Sequence, residues 1–120
     1  MPLADPLNDI PDGDLFRISL DREKLCDLLV LTGQINLDAA AQLREQALQL
    51  AAVSRPVEID WSGVGHLCPA AVQVLLALGM ALSGAAQLRI RRDNRRVRDF
   101  LELAGLSDRF RLAEPEAVAD

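Results

Sequence analysis

Val57-Glu58-Ile59-Asp60-Trp61-Ser62-Gly63-Val64-Gly65-His66-Leu67-Cys68-Pro69-Ala70-Ala71-Val72 runs through the middle of this 120-residue chain. Val57, Ile59 and Trp61 alternate with polar residues, which puts them on one face of a short strand. Asp60 to His66 is rich in glycine and polar side chains and reads as a turn-rich loop. Pro69 then opens a helix, because proline suits the first helical position, where its missing N–H would have been unpaired anyway. The helix runs through Ala70-Ala71-Val72-Gln73-Val74-Leu75-Leu76 to about Leu82, and Ser83-Gly84 closes it. It is apolar nearly all round, so it is expected to be the most buried helix.

The same reading extends outward. Leu15 to Leu20 alternates, with Phe16, Ile18 and Leu20 on one face of a strand. Asp21-Arg22-Glu23-Lys24 is a hairpin connection. Leu25 to Leu31 is a nearly unbroken apolar run, expected as a strand buried on both faces and ended by Thr32-Gly33-Gln34. Asn36 or Asp38 can cap the helix that follows. Its stripe is Ala40, Leu43, Ala47, Leu50 and Ala51, and Arg55-Pro56 ends it. Beyond the central helix, Gln87 to Ile90 is a short strand. Asp93 or Asn94 can cap a last helix with the stripe Val97, Phe100, Leu101 and Ala104. Gly105 supplies its left-handed stop, and Phe110 and Leu112 are candidates to dock on the body. The order is ββαβαβα. Two β-α-β crossovers imply an α/β fold whose small, mostly parallel sheet packs against helices.

Residues 1–13, with Pro2, Pro6, Pro11 and Gly13, read as a flexible leader, 14–112 as one domain and 113–120 as a flexible tail. No secretory signal or spanning segment is visible, and two cysteines are too few for a disulfide framework, so a cytoplasmic location is expected. The formal net charge is −5, with no Tyr, one Trp and three Phe. This disfavours nucleic acid, which needs phosphate neutralisation and stacking surfaces. The charge is uneven: seven acids against three bases in residues 1–27, six arginines against one acid in 89–98. Such a bipolar surface suits a protein partner.

The order of elements, with three short motifs, resembles the STAS domain family of anti-sigma factor antagonists. Leu31-Thr32-Gly33-Gln34-Ile35-Asn36 looks like the family's "L-x-G-x-L-D" strand end. Val57-Glu58-Ile59-Asp60-Trp61-Ser62-Gly63-Val64 looks like its "v-x-l-D-l-S-x-v" strand. Leu103-Ala104-Gly105-Leu106 followed by Phe110 looks like its closing "l-x-G-L-x-x-x-f". The resemblance covers roughly residues 14–112. It implies the STAS fold and a protein-binding role in bacterial regulation. After Val64-Gly65-His66-Leu67 the family usually continues Asp-Ser-Ser/Thr-Gly, and the first Ser is its phosphoacceptor. Here the segment is Cys68-Pro69-Ala70-Ala71. Pro69 and Ala70 carry no hydroxyl, and Cys68 replaces the acid, so the phosphoswitch at this position is expected to be lost. Ser62 is a fallback acceptor, although a turn hydrogen bond is its ordinary role.

By the same resemblance, the partner-binding surface comprises Gly33, Asn36, Asp38, Asp60, Ser62, Gly63, His66, Cys68, Pro69 and Ala70. Arg91, Arg92, Arg95 and Arg96, flanked by Arg89 and Arg98, form a candidate basic patch, against the ordinary reading of solvated charge. Cys68, His66 and Asp60 can be sketched as a thiol nucleophile system, against the preferred reading of Cys68 as a small space-filling residue. One His and two distant Cys do not make a zinc site. Gly63-x-Gly65 is not a phosphate loop, and no cofactor is expected. The chain therefore reads as a non-catalytic module, monomeric or weakly dimeric. Its expected partner is a GHKL-type anti-sigma kinase or a chemotaxis component. The alternative is the ATPase of a lipid-trafficking ABC transporter.

Overall fold

The computed structural model describes residues 16–82 and 88–113. The elements run β1 (Phe16–Arg22), β2 (Asp27–Ile35), α1 (Leu37–Val53), β3 (Val57–Leu67), α2 (Pro69–Ala81), β4 (Leu88–Arg92), α3 (Arg95–Leu103), a 3-10 turn (Ser107–Arg109) and β5 (Arg111–Leu112). The strands lie in the order β1-β2-β3-β4-β5; β1 is antiparallel to β2 and the remaining pairs are parallel. The predicted order ββαβαβα holds, with β5 added. Leu112, expected to dock, is instead 55% exposed within that strand, while Phe110 is buried. The leader and residues 114–120 lie outside the described residues, as do Leu15, Ser83-Gly84 and Gln87. Ala113 donates its N–H to the Ile90 carbonyl at 2.7 Å and so continues the β4–β5 pairing.

Register and burial give the sheet two unlike faces. Ile18, Leu20, Leu29, Leu31, Val57, Ile59, Leu88 and Ile90 share one face, because paired residues in neighbouring strands point the same way. They form one cluster with Leu43 and Leu50 of α1, Leu75 and Leu78 of α2, and Val97 and Leu101 of α3. The other face carries Ser19, Asp21, Glu58, Asp60, Arg89 and Arg91, all half-buried or exposed. β2 is therefore not buried evenly on both sides. Leu28 is buried, but Val30 beside it on the polar face is only half-buried, and Leu25 is 81% exposed in the connection before the strand. The connection is the same length as expected but lies two residues later, at 23–26, since Asp21 and Arg22 belong to β1 and pair with Leu28 and Asp27.

Both alternatives for the helix caps resolve to asparagine. Asn36 Oδ1 accepts from Ala39 N–H at 3.0 Å, and Asp38 stands exposed in the first turn. Asn94 accepts from the Arg96 and Val97 N–H groups. Gly105, with φ +76°, ends α3 as expected. Helix α2 begins at Pro69, but it is not buried all round. Ala71, Val72, Leu75 and Leu78 face the core, while Gln73, Ala77, Met80 and Ala81 are exposed. Two sheet-covering helices side by side leave each with an outer face that nothing else in the described residues covers.

One fully buried carboxylate anchors the far end of the sheet. Asp27 is paired with Arg55, and Arg22 Nε lies 3.2 Å from the same oxygen. Arg55 Nη2 also donates to the carbonyls of Glu23 and Lys24, at 2.6 and 3.0 Å. The guanidinium thus ties the β1–β2 connection to the start of β3. Breaking a buried pair leaves an uncompensated charge, whereas an exposed partner contributes little. Arg55→Ala is expected to lower unfolding stability by about 3 kcal/mol. Arg22→Ala, whose side chain is 59% exposed, should cost under about 1 kcal/mol. Urea unfolding of both variants checks this; equal losses would refute the assignment of Arg55 as the main partner.

Candidate functional site

The stretch expected as a loop, Asp60 to His66, is strand. β3 continues to Leu67 and pairs with β2 as far as Ile35. The expected end of β2 at Thr32-Gly33-Gln34 is likewise strand. The register explains why the pattern misled. Between the pairs Val30–Asp60 and Thr32–Gly63, β3 uses one residue more than β2, and it does so again between Gly33–Val64 and Gln34–His66. Each extra residue is a bulge, which breaks the alternation and turns the strand. Its buried positions accordingly run Val57, Ile59, Trp61, then Val64 and Leu67. The second bulge is built on glycine. Gly33 has φ +87°, a conformation that L side chains rarely adopt. A Cβ on Gly65 would stand 2.7 Å from Gln34 Nε2.

Asn94 holds the bulged segment. Its Nδ2 donates to the carbonyls of Trp61, Ser62 and Val64 at 3.1, 3.1 and 2.8 Å, while its Oδ1 caps α3. Beside it, the Trp61 indole N–H donates to Asp93 Oδ1 at 2.8 Å, and the ring meets Phe110 edge-on at 5.5 Å. Arg98 Nε lies 2.9 Å from Asp93 Oδ2. Burial by itself raises the Asp93 carboxyl, but hydrogen bonds from Trp61, the Asn94 backbone and Arg98, with the Arg98 charge, outweigh it and hold the group below the usual 3.8.

The result is a rim where β2 and β3 end and α1 and α2 begin. Cys68 N–H donates to the Ile35 carbonyl at 2.9 Å and brings the two strand-to-helix junctions together. Ser62, Gly63, His66, Pro69 and Asp38 are exposed on or beside this rim, and Ala70 and Gly33 are half-exposed. Asn36 and Cys68 contribute less to its surface: the first is used as a cap, and the second is 7% exposed and packed with the core. Ser62 Oγ and N–H both reach Asp60 Oδ1, at 2.7 and 3.0 Å, the ordinary turn-type bond. Cys68, His66 and Asp60 form no hydrogen bond with one another among the described residues, and Cys68 lies among apolar neighbours. That arrangement fits the space-filling reading and does not assemble a nucleophile. Among the described residues no group of His, Cys, Asp and Glu suits a metal.

The arginines are divided between two places. Arg91 bonds Glu58 at 2.6 Å and Glu23 at 2.7 Å on the polar face of the sheet, and these bonds hold its guanidinium above the ordinary value. Arg92 stands 4.0 Å from Asp60 and is 70% exposed. Arg95 and Arg96 are exposed at the start of α3. The structure adds three features that the sequence reading lacked: the donor side of Asn94, the Asp27–Arg55 pair, and the open cleft between α1 and α2. A pair of asparagines before helices signals caps, but nothing in the sequence signals three carbonyls thirty residues away.

This architecture is that of a known family. The family model described as "Mlab, STAS domain" matches residues 18–114. The chain belongs to the STAS domain family. An anti-sigma factor antagonist from Mycobacterium paratuberculosis is similar in structure, with a TM-score of 0.76 at 20% identity, covering 92% of this chain and 97% of that one. The anti-sigma factor antagonist SpoIIAA in its unphosphorylated form gives 0.67 at 15% identity, over 87% and 94%. The Bacillus cell fate determinant SpoIIAA in its phosphorylated form gives 0.62 at 15%, over 87% and 97%. At these identities the likeness is one of fold. No curated protein matches the sequence.

Two outcomes test the rim's construction. Asn94→Ala should cost about 2 kcal/mol, combining a lost cap with unpaired carbonyls. Asn94→Asp should be no better, because its carboxylate faces three carbonyls; a residue that only capped α3 would tolerate Asp. A carboxyl with a lowered folded value adds stability that is complete above its unfolded value and is lost as the pH falls through the folded one. Asp93→Asn should therefore flatten the loss of stability below about pH 4 while changing the slope little above it. An unchanged slope in acid, read from urea midpoints, would contradict this.

Proposed function

We propose that this STAS domain is a non-catalytic protein-binding module of bacterial regulation, and that the rim at the ends of β2 and β3 meets the partner. The fold likeness to anti-sigma factor antagonists supports the class. The observation that carries the particular reading is Pro69. It stands at the first position of α2, where the family resemblance puts the phosphoacceptor, and it has no hydroxyl to modify. A phosphate there would add close to two negative charges beside a partner's surface. With proline, that repulsion is absent and binding is constitutive, or is set by amount and competition. Ser62 is an exposed hydroxyl on the rim, already engaged with Asp60.

The partner by this reading is a GHKL-type anti-sigma kinase or a chemotaxis component, met in the cytoplasm. Among the described residues no helix is long and apolar enough to cross a membrane. A second reading, the ATPase of a lipid-trafficking ABC transporter, is favoured by the same proline, since a site that cannot be switched suits a permanent subunit. Arg95 and Arg96 flank the rim and would meet an acidic edge of either partner.

Affinity capture from the source cells with mass-spectrometric identification separates the two readings: a kinase or chemotaxis protein supports the first, an ATPase with its permease the second. Against the identified partner, His66→Glu and Ala70→Arg should each weaken affinity at least tenfold with an unchanged unfolding midpoint. Unchanged affinity in both would overturn the rim as the binding surface.

A further inference from the structure

The outer faces of α1 and α2 enclose an open cleft of about 430 Å³. Its floor and walls are Ala47, Leu48 and Ala51 of α1 with Val74, Ala77 and Ala81 of α2. Leu48, on the α1 wall, is 53% exposed. An apolar, small-residue furrow between two helices matches the shape that accepts an amphipathic helix. The sequence reading made α2 the most buried helix; the structure shows that its apolar outer face nevertheless has no cover among the described residues.

The cleft is not uniform along its length. Both helices start at the rim and run away from it, rising about 1.5 Å per residue. The polar lining residues, Arg44 and Gln73, therefore lie nearer the rim, and the far half, with Ala51, Ala77 and Ala81, is wholly apolar. Arg44 is exposed and makes no hydrogen bond or ion pair among the described residues. A cation at one end of an apolar furrow selects an occupant by charge as well as by shape. Ala70, at the rim end, belongs both to this lining and to the proposed partner surface, so the two are continuous.

We infer that the cleft between α1 and α2 receives an amphipathic helix of the protein partner, with its apolar stripe on Ala47, Ala51 and Ala77 and a carboxylate paired with Arg44 at the rim end. This rests on the protein-binding reading above and extends it. The cleft runs into the proposed partner surface through Ala70, and a carboxylate complements Arg44, so the helix assigned to it is one of that partner.

The test is selection of a displayed library of helical peptides on the whole chain, repeated on Arg44→Glu. The expected result is peptides with apolar residues at i, i+4 and i+7 and an acid flanking one end. Selection on Arg44→Glu should replace that acid by Lys or Arg. A chosen peptide should bind the native chain at least tenfold more tightly than Arg44→Glu, and Ala77→Asp should abolish binding. Ala77 is exposed, so this variant is expected to stay folded; Leu48→Gln is the second variant, and circular dichroism checks both. No enrichment, or peptides indifferent to Ala77→Asp and Arg44→Glu, overturns the inference. Self-association abolished by Ala77→Asp also overturns it, making a second copy the occupant. If the cleft fails while His66→Glu and Ala70→Arg still weaken the captured partner, the rim stands without the cleft.

Discussion

The structure depends on how β3 meets two demands at once. Its first half must press Val57, Ile59 and Trp61 into the core. Its second half must stay paired with β2 and still deliver the chain to Cys68 at the start of α2. A regular strand would keep the same alternation throughout. The two bulges re-phase it, so that Val64 and Leu67 stay inside while Ser62, Gly63 and His66 face outward. Bulges leave backbone groups short of ladder partners, and the two N–H of the Asn94 amide reach three carbonyls of the bulged segment. The rim is thus built from backbone geometry secured by a residue of the neighbouring α3, and Trp61–Asp93–Arg98 fixes that neighbour in turn.

Much of this was legible in the sequence, and the failures have physical causes. Alternation found β1 and the first half of β3, and periods of three and four found α1 and α3. Pro69 and Asn36 marked helix starts because each satisfies a local demand of the first turn. The Asp60–His66 segment was lost because two inserted residues give buried spacings of three, which no strand pattern contains. Helix α2 is the most buried helix, as its apolar sequence suggested, but an apolar sequence does not say whether a neighbour covers each face. β5 was missed because two residues pairing with β4 leave no periodic signal. The arginines near residue 91 looked like one patch in sequence, but strand direction and the turn into α3 send them to different surfaces.

The charges of the molecule follow the same division. On the polar face of the sheet Arg91 is matched by Glu23 and Glu58, and at the far end Arg55 is matched by buried Asp27. These contacts join connections to strands and belong to the architecture. Arg44, Arg95 and Arg96, whose side chains make no ion pair among the described residues, lie beside the rim or the cleft, while other exposed cations such as Lys24 and Arg109 lie elsewhere. Free charge next to uncovered apolar surface is the usual composition of a docking face, where the apolar part supplies affinity and the charge supplies register. Pro69 opens α2 with a residue that suits the first helical position and carries no hydroxyl.

The central claim is that the partner covers the rim formed where β2 and β3 hand over to α1 and α2. Hydrogen–deuterium exchange of the chain, alone and saturated with its captured partner, tests it most directly. The account predicts slowed exchange in residues 33–38 and 62–72, with little change in β1, β4 and β5. Protection confined to the polar face of the sheet, with the rim exchanging as in the free chain, would contradict it.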